Sequence, residues 1–176
     1  MYFDSDTRLA FRISREQFLG KVNARIAEID AAMTDKVRMA KVAAEYQKQL
    51  KEAATSVDVS VKKVAELAKV TKKQLKKLGT IKQPTYEQLQ NFAGYCSPRD
   101  TVKFLSTPVN DYLAAYCHWV RQMQQALASL RRLKGVLEMA TDDKISVRNH
   151  SMQSMMKFLS EELPTPETSN GVYTRY

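Results

Sequence analysis

Only two cysteines, Cys96 and Cys117, occur in the chain, with no CxxC spacing and no histidine pair that could complete a ligand set. No disulfide framework or metal site is therefore expected, and both thiols read as buried side chains. Glycine and proline number five each, too few obligatory turns for a many-stranded sheet. No apolar run approaches the roughly 18 residues of a membrane span; the longest candidate is YLAAYCHWV, Tyr112 to Val120. The opening MYFDSDTRLAFR lacks the basic-then-apolar order of a secretory signal, so a cytoplasmic location is expected. Histidine is equally scarce, with His118 and His150 alone. His118 follows Cys117, but neighbours in a helix project about 100° apart and do not pair as nucleophile and base. GxGxxG, P-loop, GxSxG, HExxH and paired-carboxylate motifs are all missing, so neither an enzyme nor a cofactor or small-molecule site is expected.

What the chain has is basic charge: 28 Lys+Arg against 19 Asp+Glu, a net +9. That balance suits a polyanionic partner, although charge alone also serves solubility. With 44% apolar residues over 176 positions, a sizeable core is available.

Residues RLAFRI (Arg8 to Ile13) alternate with period two, a strand pattern, and Ser14 then stands three residues before Gln17 as an N-cap. Leu19, Val22, Ile26, Ile29 and Met33 form a helical stripe that Ala40, Ala43, Leu50 and Ala54 prolong, giving a helix from about Arg15 to Ala54 with an interruption at Thr34-Asp35. TSVDVS, Thr55 to Ser60, breaks it. After the lysine-rich stretch, Pro84 introduces a short helix from Thr85 to Tyr95 with Tyr86, Leu89 and Phe92 on its apolar side. Thr107-Pro108 begins a second long helix, striped by Val109, Leu113, Tyr116, Val120, Met123, Leu127, Leu130 and Leu137, with Trp119 as a core or interface aromatic. Ile145 to Leu163 reads as a methionine-rich helix, and PTPETSNGVYTRY as a linker-like tail whose Val172–Tyr176 end is a candidate strand beside RLAFRI. The expected fold is mainly α: two long antiparallel helices as scaffold and a small basic lobe, with possible short N- and C-terminal strands. The corresponding division is 1–56, a basic lobe at 57–97, long and methionine-rich helices at 98–163, and a tail at 164–176.

The lobe turns on Val61 to Gly79, VKKVAELAKVTKKQLKKLG. On one helical wheel Val61, Val64, Ala68, Thr71, Leu75 and Leu78 gather opposite Lys62, Lys63, Lys69, Lys72, Lys73, Lys76 and Lys77, and two residues sit wrongly: Val70 falls among the lysines and Ala65 lies on their flank. Breaking the helix after Ala68 removes the anomaly. Val70 then plugs a turn, Ala65 allows close crossing, Thr71 caps a second helix, and Leu75 and Leu78 anchor it. This arrangement of Val64, Ala65, Ala68, Val70, Thr71, Leu75 and Leu78 resembles the helix-turn-helix of phage-repressor-type DNA-binding proteins, and TIKQPTYEQLQNFAGYC resembles the helix that follows it there. The resemblance covers about Ser60 to Cys96. It implies that the helix from Thr71 lies in the major groove, with Gln74 toward a base edge and Lys72, Lys73, Lys76, Lys77 and Lys82 toward phosphates. Two positions depart from the family pattern. Lys69 replaces the usual glycine, at a cost of roughly 1 kcal/mol or more in a left-handed conformation, and Leu67 stands where a polar residue is normal. From Lys62 to Lys82 there are eight lysines and Glu66 alone of opposite sign, so net +7 of the chain's +9 is concentrated there.

A basic strand before a capped helix also resembles the start of ribbon-helix-helix repressors, with Arg8, Ala10 and Arg12 facing DNA from paired strands of a dimer. The expected function is duplex DNA binding without catalysis, the role of a transcriptional regulator, with the long helices serving a homo-oligomer or a helical protein partner. The alternative is a helical structural or partner-binding component of a larger assembly, such as a phage particle, whose lysines are solvated or face an acidic protein.

Overall fold

A computed structural model of the chain describes residues 11–55, 60–77, 83–93, 111–147 and 150–168. The fold is mainly α, with long helices and one two-stranded antiparallel sheet. Two compact units divide the chain, one made of Met1–Met33 with Gln122–Leu163, the other of Thr34–Arg121 with Pro164–Tyr176. No described helix is long and apolar enough to cross a membrane.

In the first unit, strand β1 (Phe11–Ser14) pairs with β2 (Lys144–Val147), in the register Phe11↔Val147 to Ser14↔Lys144. The strand expected at RLAFRI is thus present in its second half; Arg8 to Ala10 and the tail Val172–Tyr176 lie outside the described residues. Its partner is a correction. Ile145 to Val147 was expected to open the methionine-rich helix, which as α7 covers only His150–Ser160. Two β-branched residues flank a serine there, and with Ile145 half-buried and Val147 buried they suit a strand better than a helix start. The pairing lies within the chain, where the ribbon-helix-helix likeness placed a second copy.

Ser14 ends β1 and its hydroxyl accepts from the Gln17 amide at 3.4 Å, opening α1 (Arg15–Met33). The buried seam of α1 is Phe18, Val22, Arg25 and Ile29, while Leu19, Ile26 and Met33 of the expected stripe are only half-buried at its edge. Met123, Leu127, Leu130 and Leu137 bury the matching stripe of α6 (Asp111–Met139). Arg25 lies in this core with its guanidinium partly engaged, Nη2 in a hydrogen bond and Nη1 in an ion pair without a hydrogen bond of its own. It donates to the Glu161 carbonyl, pairs with Glu28 at 3.3 Å and sits 5.0 Å from the Phe158 ring centre.

In the second unit, Asp35 caps α2 (Lys36–Thr55), its carboxylate accepting from the Arg38 amide at 2.7 Å. The interruption expected at Thr34-Asp35 is where α1 gives way to α2, and it resets the helical register. Val42, Tyr46, Gln49, Leu50 and Ala53 are buried, whereas Ala40, Ala43 and Ala54 of the extrapolated stripe are not. The first part of α6 runs antiparallel to α2: Arg38 stacks on Trp119 at 4.9 Å and Lys41 on Tyr112 at 4.2 Å, so α6 descends as α2 ascends. Cys117 is a buried free thiol; Cys96 and Val109 lie outside the described residues.

The start of the linker-like tail is docked rather than loose. The Trp119 indole donates to the Pro164 carbonyl at 2.6 Å, and Pro166 is buried. Glu167 reaches Arg38 at 3.8 Å and Lys41 at 3.9 Å and accepts from the Tyr112 hydroxyl at 3.3 Å. Burial opposes its charge, but its own backbone amide, the Thr165 hydroxyl, Arg38 and Tyr112 outweigh that and hold the carboxyl below its ordinary range.

Candidate nucleic-acid interface

Ser60 starts the lobe, its hydroxyl accepting from the Lys63 amide at 3.2 Å and capping α3 (Val61–Ala68). Val64, Ala65 and Ala68 are buried as expected, but Val61 is 41% exposed because it occupies the first, solvent-facing turn. The helix stops at Lys69, which takes the left-handed conformation with φ 51° and ψ 43°. The Lys69 amide donates to the Glu66 carbonyl at 3.1 Å and the Val70 amide to that of Ala65 at 3.0 Å, the double closure of a Schellman turn. Both residues that fit a continuous helix poorly therefore have a place. Val70 leaves the helix and its amide binds back to Ala65, where a small side chain lets the chain fold over. Val70 is half-buried, less enclosed than the plug expected.

Thr71 starts the next helix, α4 (Lys72–Lys76). Its hydroxyl accepts from the Gln74 amide at 3.1 Å, and its own amide donates to Gln74 Oε1 at 2.9 Å, a complete capping box. Leu75 is buried at 5% exposure and anchors α4. Lys77, at φ −112° and ψ 65°, leaves helical geometry.

A third helix fastens the turn. In α5 (Tyr86–Ala93) the capping box repeats: the Gln88 amide donates to the Thr85 hydroxyl at 3.2 Å and the Thr85 amide to Gln88 Oε1 at 2.8 Å. The helix so begins one residue after the expected Thr85, which is its cap. Gln88 Nε2 meanwhile donates to the Ala68 carbonyl at 2.5 Å, so one side chain closes the start of α5 and the end of α3. Glu87 pairs with Lys69 across the same turn. Leu89 is buried, and the Tyr86 hydroxyl donates to the Cys117 carbonyl at 3.2 Å, tying α5 to α6 within this unit.

The residues predicted for the interface are brought together on one short element. Thr71, Lys72, Lys73, Gln74, Lys76 and Lys77 are all exposed on or beside α4, and Lys62 and Lys63 on α3. Among the described residues no carboxylate lies within ion-pair distance of Lys72, Lys73 or Lys76. Lys82 and Leu78 lie outside the described residues, as does the Leu67 side chain. Gln74, expected to reach a base, has its amide oxygen engaged in the capping box. Glu87 and Gln88 are not among the residues expected from the sequence; for Gln88 a Thr-x-x-Gln spacing signals the cap on α5, but nothing local signals its second bond to Ala68. Among the described residues no group of three His, Cys, Asp or Glu could hold a metal ion.

Lys69 supplies a direct check of the turn. A Lys69→Gly substitution is expected to raise stability by about 1 kcal/mol, because glycine enters the left-handed region without the Cβ penalty. The Lys69–Glu87 pair it removes joins side chains 55% and 61% exposed, an arrangement that contributes little. A higher urea midpoint at unchanged slope is the predicted readout; a lower one would mean that the ion pair outweighs the backbone.

No protein-family model matches the chain, and no curated protein or solved structure is significantly similar to it.

Proposed function

We propose that this protein binds duplex DNA without catalysing a reaction, using the α3–α4 pair as a helix-turn-helix. Thr71, Lys72, Lys73, Gln74, Lys76 and Lys77 form the interface, and the long helices are its scaffold. The observation that carries this reading is the left-handed Lys69, which ends α3 and delivers a capped helix with Leu75 buried and its lysines outward. A lysine-rich solvated helix has no need of that turn. Phosphate neutralisation by lysine releases condensed counterions, so affinity falls with salt by about 0.9 log units per log unit of salt for each contact.

The test is fluorescence anisotropy of a labelled duplex over a salt series, comparing the natural chain with K72A/K73A/K76A/K77A. Binding at low salt is expected, with a slope about four units shallower in the variant. Absence of binding at low ionic strength, or an unchanged slope, would remove the proposal. A second reading, a helical component of a larger assembly, draws on Val136 and Met139, large apolar side chains 64% and 85% exposed toward the end of α6. That reading predicts association with a protein partner that is unaffected by the lysine variant.

A further inference from the structure

Resting on the DNA-binding reading, we propose that this site grips the phosphate backbone and does not read bases, so that it binds duplexes of any sequence alike. Three features lead there. Hydrogen-bonding readout by uncharged side chains on α4 falls to Thr71 and Gln74, and they are engaged with each other: Gln74 Oε1 accepts from the Thr71 amide at 2.9 Å and from the Thr71 hydroxyl at 3.2 Å, while that hydroxyl accepts from the Gln74 amide at 3.1 Å. Recognising adenine through a glutamine takes its oxygen and nitrogen together, in one plane, against the base edge. Gln74 gives up its cap to do that.

The remaining groups are ammonium ions. No arginine occurs anywhere from Ser60 to Ala93, so the planar fork that reads guanine through two parallel bonds is missing from α3, α4 and α5 alike. Lysine is a hydrated point charge on a flexible stem and suits phosphate oxygens, whose positions do not depend on sequence. The third feature is the length of α4, Lys72–Lys76, after which Lys77 departs from helical geometry. So short a helix offers the groove little more than one turn, and that turn is the one its own cap occupies.

The experiment is selection of duplexes from a random pool with the full chain, followed by anisotropy on A·T-rich, G·C-rich and mixed duplexes of equal length. No enriched motif is expected, with affinities within about threefold and equal salt slopes, against the thousandfold or greater preference of a specific binder. Gln74→Glu keeps the capping box and removes the amide donor, so it should weaken all duplexes by a common factor without reordering them. A selected sequence bound more than about a hundredfold tighter than the pool, or a ranking changed by Gln74→Glu, overturns sequence indifference and leaves DNA binding standing. Absence of binding to every duplex at low salt overturns both.

Discussion

Replacing Trp119 with alanine is expected to destabilise the unit formed by Thr34–Arg121 and Pro164 onward by about 3–5 kcal/mol, the range for deleting a fully buried large aromatic. The indole is completely enclosed. Its ring carries the Arg38 guanidinium on one side and lies 5.9 Å from the Tyr116 ring, and its N–H holds the Pro164 carbonyl. Alanine leaves a cavity, an uncovered cation and an unpaired carbonyl together. Phenylalanine keeps much of the buried area and loses the donor, so Trp119→Phe should cost nearer 1 kcal/mol for the hydrogen bond plus a smaller packing loss. Denaturant titrations followed by far-UV circular dichroism give both values without relying on indole fluorescence. A loss below about 1 kcal/mol for the alanine variant would show that the docked tail and Arg38 do not depend on the ring.

Leu75→Ala is expected to weaken duplex binding by tenfold or more while leaving the net charge at +9. Five residues are far too few for a helix to persist by propensity, and Leu75 is the buried residue of α4. Truncating it forfeits about 2–5 kcal/mol of packing, and the loss falls on the seating of α4 rather than on the remainder of the unit. The lysines stay in number but lose their common position. Anisotropy on the same labelled duplex, with circular dichroism to confirm that the long helices persist, separates geometry from charge. Equal affinity in the variant would mean that a disordered cluster of ammonium groups suffices.

Features decided by neighbours in sequence were legible in advance. Ser14, Asp35 and Thr71 cap helices through bonds that reach three residues, and the α6 stripe from Leu113 to Leu137 is buried as its spacing implies. The bend at Lys69 followed from two residues that fitted one helix poorly. Features decided across the chain were not legible. The partner of β1 lies beyond every helix but the last, and Lys144–Val147 is too short to announce itself as a strand. Arg25 in a core has no local signature, since what makes it tolerable is a carbonyl 136 positions away. The tail from Pro164 has a linker's composition and is held by an indole and two cations that composition does not register. The register of α2 does not follow from the stripe of α1, because Asp35 restarts the helix and a stripe carried across a restart loses its phase.

The discontinuity of the first unit bears on how the protein is made. Phe18, Val22 and Ile29 leave the ribosome with α1, yet the rest of their unit lies in Gln122–Leu163, on the far side of Thr34–Arg121. At ordinary elongation rates the wait is on the order of ten seconds. Throughout it the nascent chain carries a greasy helical stripe without the segments that complete its folded unit, an opening for chaperone capture or for premature association between polysomal neighbours.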